Sequence, residues 1–531
     1  MTAAQIATAQ SHEAVDADLL RWLADPSTHG SSGSVQTHET HASWVFVAGE
    51  RALKIKKRVD LGFLDYSTLS RRHAACREEV RVNRELAPGI YLGVRAIVSE
   101  PDSFRFAADG APAAIEYAVA MRSFRESDTL AAAIAAGHLE SEHIRAIATR
   151  IARFHREAIV VAGGSVDELL AMWQDNLAEL AEIEHPTDWQ PGLVGSFASA
   201  FVRAHEHELS QRRLAGLVRD GHGDLRCEHV LLGPTVRVVD RIEFDAALRH
   251  TDIACDLAFL TMDLEFMGAG DEAAQLLSAY RAEGLDPGSE SLRSFYAAHH
   301  AFVRAKVALL SGRQHMGDAL DAALSRAREL WALGERLCWR ARCPVAVVVC
   351  GPAASGKSTL TVELSRRSGM PVVSSDVVRK AAAGLASTQR GDAEIYTPAG
   401  SRRAYELLGR AAQRALARGS GVIVDATCRS QNERSLLLAH LNDPSTAMLV
   451  VECRVSLEVA LERATRRLAD SDRISDATPQ IVAQQHRSFE PLLELPARRV
   501  LSLNGELGLD EQVVRVARAV DGQLVSNGGY A

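Results

Sequence analysis

The feature that most constrains the fold of this chain is a glycine-rich loop between an apolar run and a helical segment. Residues 344–350 read Pro-Val-Ala-Val-Val-Val-Cys, a continuous apolar stretch typical of a strand that is buried on both faces of a parallel sheet. The next residues, 351–358, read Gly-Pro-Ala-Ala-Ser-Gly-Lys-Ser and satisfy the spacing G-x-x-x-x-G-K-[ST]. A strand, a glycine-containing loop and a helix N-terminus present many N–H donors to one point. The pattern therefore predicts a triphosphate-binding loop.

The residue types of this loop suit a phosphate site. Lys357 supplies a mobile cation for the phosphates, and the hydroxyl of Ser358 suits Mg²⁺, which prefers oxygen ligands. The other predicted phosphate contacts are Gly351, Ser355, Gly356 and Thr359. A glycine turn that caps a helix is the alternative interpretation, but it does not explain the strand and the helix on either side. The sequence therefore predicts a nucleotide site with Mg²⁺.

Carboxylates and arginines follow the loop at positions where they could serve phosphoryl transfer. Asp425 ends the strand-like GVIVDAT, where it could hold the metal's water or act as a base; a turn cap is the alternative. Asp376 ends the strand-like MPVVSSD and precedes Arg379, which suggests an acceptor-binding pair, although a helix N-cap followed by a helical arginine explains both residues. Arg463 and Arg467 lie four apart on a predicted helix and could offset charge on the transferred group, unless they form a solvated basic face. The catalytic candidates are thus Asp425, Asp376 and Arg467.

Residues 344–495 resemble the small P-loop kinases that include gluconate kinase and zeta toxin. The likeness is carried by GPAASGKST, SSDVVRK, VIVDAT and a lid-like segment from Arg463 to Asp476. It implies transfer of the γ-phosphate of ATP to a small hydroxyl compound or a nucleotide. The resemblance does not identify the acceptor.

A second set of motifs lies in the N-terminal part of the chain. HGDL, VRVVD and DLA occur in this order and resemble the aminoglycoside phosphotransferase and protein-kinase-like fold over residues 35–330. The resemblance implies that Asp224 accepts the proton of the substrate hydroxyl and that Asp240 binds a metal ion. It also implies that Asp256 braces the catalytic loop without a catalytic role.

The same resemblance implies a lysine on the third predicted strand and a glutamate on the following helix. Lys54 or Lys56 could reach the α- and β-phosphates, oriented by Glu79. Alternation places both lysines on one face of the strand, so spacing cannot decide between them. Lys54 is preferred because it lies deeper in the strand. A solvated lysine run is the alternative interpretation.

One predicted metal position departs from the family pattern. Five residues after the catalytic aspartate the family has Asn, a Mg²⁺ ligand, whereas this chain has His229. Imidazole is a poor ligand for Mg²⁺, so Glu228, Glu243 or Asp245 could supply the missing oxygen. Alternatively, the N-terminal domain binds a nucleotide or another ligand without transferring phosphate.

The order of these segments predicts a multidomain chain that combines two fold classes. Residues 1–340 are expected to form a bilobal α+β kinase-like domain, with lobes at about 30–120 and 121–340, and residues 341–531 a P-loop α/β domain with a parallel sheet. The whole pattern resembles the bacterial two-domain proteins described as bifunctional aminoglycoside phosphotransferase-like/ATP-binding proteins. This resemblance implies ATP and Mg²⁺ as cofactors and a small-molecule phosphate acceptor as partner.

Composition narrows the functional classes. The net charge of −8, from 60 basic and 68 acidic residues, gives no broad positive field, so a nucleic-acid partner is not expected. There is no run of about 18 apolar residues, no signal-peptide pattern and no CxxC spacing among the cysteines, so we expect a cytoplasmic protein without a membrane partner. The leading hypothesis is a bifunctional phosphotransferase. The alternatives are an ATP-dependent sensor with a degenerate N-terminal domain and a P-loop hydrolase without an acceptor.

Overall fold

Strands and helices occur in runs up to residue 341 and mostly alternate after it in the computed structural model, which describes residues 17–30, 32–60, 64–313, 316–386, 389, 397–467 and 477–527. The strands are β1 (Gln36–Glu39), β2 (Ser43–Ala48), β3 (Arg51–Lys56), β4 (Tyr91–Glu100), β5 (Ser103–Ala107), β6 (Ala114–Arg122), β7 (Val218–Asp220), β8 (Val230–Leu231), β9 (Arg237–Val238), β10 (His250–Asp252), β11 (Val345–Cys350), β12 (Val372–Ser374), β13 (Val422–Asp425), β14 (Ala447–Arg454) and β15 (Val500–Asn504). The helices are α1 (Leu69–Asn83), α2 (Leu130–Ala135), α3 (Ser141–Glu157), α4 (Val166–Glu182), α5 (Pro191–Ala204), α6 (Glu206–Leu214), α7 (Ile253–Phe266), α8 (Gly270–Ala282), α9 (Glu290–Gly312), α10 (Asp318–Ala341), α11 (Lys357–Ser368), α12 (Ser375–Ala382), α13 (Pro398–Leu416), α14 (Gln431–Leu438), α15 (Leu457–Arg467), α16 (Pro479–Ser488) and α17 (Leu509–Asn527).

These elements form two compact units. The first comprises Met1–Gly164 and Ala215–Pro287, and the second comprises Ser165–Leu214 and Gly288–Ala531. Helices α4 to α6, α9 and α10 therefore belong to the same unit as the C-terminal sheet, although they precede residue 341 in the sequence. The domain boundary near residue 341 stays a prediction.

An antiparallel sheet forms the first part of unit one, with the strand order β1-β2-β3-β6-β4-β5. Side chains alternate across a strand, so Leu53 of β3 faces one hydrophobic core and Ala52 faces the core that contains Val80 of α1. Lys54 and Lys56 lie on the same side of β3 as Ala52. The sequence pattern therefore directs both lysines toward helix α1.

Short strands and helices carry the loop motifs of unit one. β7 pairs with β10, and β8 pairs with β9, both antiparallel. Helices α3, α7 and α8 contribute to one core, which includes Ile147, Leu257 and Tyr280. The HGDL motif, residues 222–225, lies in the loop after β7. Asp240 comes shortly after β9 with φ of 57°, a left-handed conformation that is uncommon for a residue with a side chain.

A parallel sheet forms the centre of unit two, with the strand order β12-β13-β11-β14-β15. Every residue of β11 is buried, which explains its continuous apolar run. Alternate residues of β11 face α11 and α17 on one side, as Val347 does, and α13 and α14 on the other, as Val348 does. Because the carboxyl ends of parallel strands meet at one edge, the loop after β11 lies beside the end of β13 and the end of β14. The predicted mixed α/β fold with a parallel sheet is confirmed.

Helices α5 and α10, which precede the parallel sheet in the sequence, pack against helices that cover it. Helix α5 packs against α17. Nε of Arg342 donates to Oδ1 of the buried Asp521 on α17 at 2.7 Å, and its guanidinium lies 4.3 Å from the ring centre of Phe197 on α5. Arg367, near the end of α11, lies 3.8 Å from Glu335 of α10. These contacts join the helices and the parallel sheet into one unit. Among the helices that the structure describes, none has the length and apolar character needed to cross a bilayer.

Candidate nucleotide sites

The loop after β11 has a backbone that suits close contact with an anion. Gly351 has φ of 135°, and a Cβ there would lie 2.5 Å from the carbonyl oxygen of Cys453, so a larger residue does not fit. Ala354 and Gly356 have φ of 65° and 98°. These turns bring the loop to the N-terminus of α11, which begins at Lys357. Free N–H groups at a helix N-terminus make this a favourable position for phosphate.

The predicted lysine, serine and aspartate of this loop lie together. Nζ of the buried Lys357 donates to the carbonyl oxygen of Pro352 at 2.8 Å, so the lysine follows the loop. Oγ of Ser358 donates to Oδ2 of Asp425 at 2.8 Å. A hydroxyl and a carboxylate side by side match the oxygen ligands that Mg²⁺ prefers. The residues present therefore fit a Mg²⁺ ion, and Thr359 is exposed next to them.

Residues outside the motif also reach the loop. Oε1 of Gln485 on α16 accepts the N–H of Ala353 at 2.8 Å. Burial and the nearby charge of Lys357 lower the pKa of His486, the next residue of α16. Ser355 is fully buried, and its Oγ has no hydrogen-bond partner within the described residues. Sequence reasoning missed Gln485 and His486 because a polar pair on a short helix has no motif of its own.

A surface cavity of about 250 Å³ lies at the same edge of the sheet. It is lined by Arg454, Val455, Ser456, Ser502, Leu503, Asn504 and Glu506. Gly505 connects this cavity with the loop, because a Cβ there would lie 2.4 Å from the carbonyl oxygen of Ser355. Nη2 of Arg463 donates to the carbonyl oxygen of Gly505 at 3.0 Å. Arg467 is the last residue of α15; its side chain and residues 468–476 of the predicted lid lie outside the described residues.

Asp376 and Arg379 lie together on α12. The expectation that Asp376 ends a strand is wrong, because β12 ends at Ser374 and Asp376 lies in the first turn of the helix. Burial and repulsion from Asp425 raise the pKa of Asp376. Nη1 of Arg379 donates to Oγ of Ser401 at 3.1 Å. Asp376 thus has a raised affinity for a proton, caused by its burial and by the negative charge of Asp425.

Two lysines converge on one fully buried glutamate in unit one. Nζ of Lys54 lies 2.8 Å from Oε1 of Glu79, and Nζ of Lys56 lies 2.6 Å from Oε2. Lys54 also lies 3.1 Å from Oδ1 of Asp240, whereas Lys56 pairs with Glu243. Lys54 thus connects the buried glutamate with the predicted metal aspartate, which favours Lys54 over Lys56 as the phosphate-contacting lysine.

Electrostatics fix the charge states of this cluster. Burial opposes the charge of Lys54, but attraction to Asp240 and Glu79 is stronger and raises the pKa of Lys54 well above its usual value. Partial desolvation opposes the charge of Asp240, yet the nearby charge of Lys54 holds the pKa of Asp240 well below its usual range. The Asp240 side chain is 45% exposed. Its carboxylate is therefore charged and open to a ligand, and one oxygen donor of this kind fits a Mg²⁺ ion.

Asp256 organises the loop that contains HGDL. Its Oδ2 accepts the N–H of His222 at 2.8 Å, and its Oδ1 accepts the N–H of Gly223 at 2.9 Å. Nε2 of His155 lies 3.0 Å from Oδ2 of Asp256. Burial opposes ionisation, but His155 and His222 hold the pKa of Asp256 below its usual range. The backbone immediately before Asp224 is thereby fixed, which is consistent with the bracing role expected of Asp256.

His222 is held as a neutral ring. Its Nε2 lies 3.0 Å from the carbonyl oxygen of Val239 and therefore donates a proton to it, and its Nδ1 accepts the N–H of Asp224 at 3.2 Å. A second proton on the ring would disrupt the contact with the Asp224 backbone. Burial lowers the pKa of His222 to about 4.

We expect His222 to make unit one less stable in mild acid. The unfolded chain binds a proton at this histidine near pH 6.5 and the folded chain near pH 4, so the free energy of unfolding decreases as the pH falls between these values. The shift corresponds to about 3 kcal/mol at most. Urea denaturation at a series of pH values measures the effect, and His222→Gln should show a smaller decrease than the wild type. Equal pH dependence of the two proteins would contradict this expectation.

His229 uses both ring nitrogens within the same loop. Nδ1 lies 2.8 Å from the carbonyl oxygen of Asp224, so it donates a proton; Nε2 lies 2.9 Å from Nη2 of Arg226, so it accepts one. Burial and the charge of Arg226 lower the pKa of His229. The Nε2 lone pair faces a guanidinium, so the geometry does not support His229 as a Mg²⁺ ligand. Sequence reasoning missed Arg226, although its position two residues after Asp224 in the motif loop was a usable signal.

Comparisons with known proteins find relatives for most of the chain. Residues 347–492 match the AAA domain family. The chain is 32% identical over 462 residues to the uncharacterized protein Rv2004c of Mycobacterium tuberculosis, covering 85% of this chain and 89% of that protein, and Mb2027c of Mycobacterium bovis gives the same values. A gluconokinase from Sinorhizobium meliloti 1021 is 19% identical with a TM-score of 0.25, covering 35% of this chain and 95% of that one. A choline/ethanolamine kinase family protein from Mesorhizobium loti is 16% identical with a TM-score of 0.37, covering 61% and 98%.

Proposed function

The chain belongs to the family of the Mycobacterium tuberculosis protein Rv2004c, and we propose that it is an ATP-dependent phosphotransferase with one nucleotide site in each compact unit. The observation that carries the proposal is the contact between Ser358 and Asp425 beside the loop that Lys357 follows. Phosphate-binding N–H groups, a cation and paired oxygen donors thus lie at one sheet edge. The match of residues 347–492 to the AAA domain family supports nucleotide binding there.

In the C-terminal site the loop N–H groups and Lys357 would bind the β- and γ-phosphates of ATP. Ser358 and Asp425 would hold Mg²⁺, which offsets charge on the phosphate oxygens when bound. Phosphate would compete with Gln485 for the N–H of Ala353, because a bound oxygen and the Gln485 oxygen need the same donor. The cavity that adjoins the loop through Gly505 is the candidate pocket for the nucleobase.

The proposed reaction transfers the γ-phosphoryl group to a small hydroxyl compound. The acceptor oxygen forms a bond to the γ-phosphorus, the bond from this phosphorus to the bridging oxygen breaks, and ADP leaves with that electron pair. The hydroxyl proton moves to a carboxylate. Asp376 is the candidate base because its pKa is raised beside Asp425, and Arg379 would orient the acceptor. Arg467 would offset charge on the transferred group.

In the N-terminal site, residues of strand β3, helix α1 and two loops would take the corresponding roles. Lys54, positioned by Glu79, would contact phosphate, and Asp240 would hold Mg²⁺. Asp224 would accept the proton of the acceptor hydroxyl, since its backbone is fixed by the Asp256 contacts that precede it. Catalysis in both sites would rest on positioning and on charge neutralisation.

Counting bound nucleotide tests the two-site proposal. With Mg²⁺ and a slowly hydrolysed ATP analogue in equilibrium dialysis, we expect about two equivalents for the wild type, about one each for Lys357→Ala and Asp240→Ala, and none for the double variant. One equivalent in the wild type that Lys357→Ala abolishes would contradict a nucleotide site in unit one. Scintillation counting of phosphate transferred from labelled ATP to a set of polyols, sugars and amino alcohols would then identify the acceptor class.

A further inference from the structure

We propose that the guanidinium of Arg226 takes the place of a second Mg²⁺ ion in the N-terminal nucleotide site, so that this site works with a single metal ion. The proposal rests on the proposed function, since it assigns a role within the site that Asp240 and Asp224 would form. It makes Arg226 a positioning residue for the candidate base and a fixed positive charge where the family pattern expects a metal ligand.

The contacts of Arg226 support this assignment. Its Nε donates to Oδ1 of Asp224 at 2.8 Å, its Nη2 donates to Nε2 of His229 at 2.9 Å, and its Nη1 pairs with Glu228. Each guanidinium nitrogen therefore has an acceptor from the motif loop. Arg226 is 9% exposed, so its charge is poorly screened by water. A buried cation fixed at the candidate base supplies one positive charge at a position where Mg²⁺ would bring two.

The orientation of His229 supports it independently. A carbonyl oxygen accepts and a guanidinium donates, so the contacts of His229 require a proton on Nδ1 and a lone pair on Nε2. That lone pair is directed at Arg226. A metal ion at His229 would have to displace the guanidinium and would gain a nitrogen ligand that Mg²⁺ binds poorly. The donor set of this position fits a guanidinium and does not fit a second Mg²⁺ ion.

The other oxygen donors considered from the sequence each contact another protein group. Glu228 pairs with Arg226 itself. Glu243 pairs with Lys56, and its Oε1 accepts the hydroxyl of Tyr66 at 2.9 Å. Oδ1 of Asp245 accepts the N–H of Ala247 at 2.8 Å. Asp240 also pairs with Lys54, but its side chain is 45% exposed, and we assign the single metal position of the site to this carboxylate.

Counting metal ions tests this assignment. The full chain carrying Lys357→Ala, saturated with Mn²⁺ and a slowly hydrolysed ATP analogue, would be compared with the same chain carrying Asp240→Ala as well. Electron paramagnetic resonance of free Mn²⁺ gives the ions bound, and the difference between the chains isolates unit one. We expect about one Mn²⁺ per nucleotide. About two Mn²⁺ per nucleotide with Arg226 intact would overturn the assignment but leave the second nucleotide site standing.

Variants of the motif loop are expected to bind a second metal ion. In the Lys357→Ala chain, the additional substitutions Arg226→Ala and His229→Asn should raise the number of bound ions to about two Mn²⁺ per nucleotide. The first removes the cation, and the second supplies an oxygen ligand. Arg237→Ala is the matched control, because Arg237 lies on β9 of the adjacent hairpin and has no described contact with Asp224 or His229; it should keep the count of the parent chain. If the Lys357→Ala chain and the chain that carries both Lys357→Ala and Asp240→Ala bind equal amounts of nucleotide, both the second nucleotide site and this assignment are overturned.

Discussion

Lys357→Ala is expected to lower ATP turnover at the C-terminal site by at least about 100-fold, because the change removes the cation placed for the β- and γ-phosphates. The lysine lies along the loop, where its Nζ donates to the carbonyl oxygen of Pro352, so its loss removes this contact together with the charge. ADP release from a chain that also carries Asp240→Ala measures this site alone, since the second substitution disables the proposed site in unit one.

Arg366→Ala is the matched control for this change. Arg366 lies on the same helix, its side chain is 60% exposed, and it pairs with Glu363 on the helix surface. It removes one positive charge without touching the loop, so its turnover should stay within about twofold of the parent. Equal losses of ATP turnover in Lys357→Ala and Arg366→Ala would show that turnover depends on the total charge of α11 and not on the position of Lys357 in the loop. Unchanged turnover in Lys357→Ala would remove the basis of the proposed C-terminal site.

Glu79→Ala is expected to destabilise unit one by about 3–5 kcal/mol, the range for breaking a buried ion pair from one side. Glu79 is fully buried and contacts both Lys54 and Lys56, so its removal leaves two lysines in a low-dielectric site with less compensation. Asp240 and Glu243 compensate in part, because each retains one lysine. The free energy of unfolding from urea denaturation near pH 7 measures the loss.

Glu78→Ala provides the comparison for Glu79→Ala. Glu78 is the preceding residue on α1, its side chain is 32% exposed, and its closest partner is Arg81 one turn along the helix. A pair of this kind contributes about 0.5 kcal/mol to the free energy of unfolding. The expectation for Glu79→Ala fails if its loss of stability is no larger than that of Glu78→Ala.

The parts of the fold that could be predicted from the sequence are those encoded by local pattern. The loop after β11 was predictable because an apolar run, glycine spacing and a helix start occur in consecutive residues. Strands β4 and β5 were not recognised. The pairing of β4 with β6 shifts register between Tyr91 and Gly93 and again between Ile97 and Val98. These shifts break the alternation of side chains that marks a strand in the sequence.

Contacts between residues distant in sequence set the limit for the sites. Lys54 and Lys56 share one strand face, and the contact that distinguishes them is made to Asp240, which is 186 positions from Lys54. The contact of Gln485 with the loop is likewise set by the packing of α16. Arg226 is different, because it lies within the motif loop and its proximity to Asp224 follows from the sequence alone.

The pairing of α5 with α17 also has a consequence for synthesis of the chain on the ribosome. Phe197 of α5 packs against Arg342, and Arg342 pairs with Asp521 of α17, so α5 meets this one partner helix about 300 residues after it has been made. At about 5–20 residues per second, the interval between the synthesis of α5 and that of α17 is on the order of 15–60 s. All residues of unit one, which ends at Pro287, are synthesised before α17. The side of α5 that contacts α17 therefore remains without that partner until α17 has been synthesised.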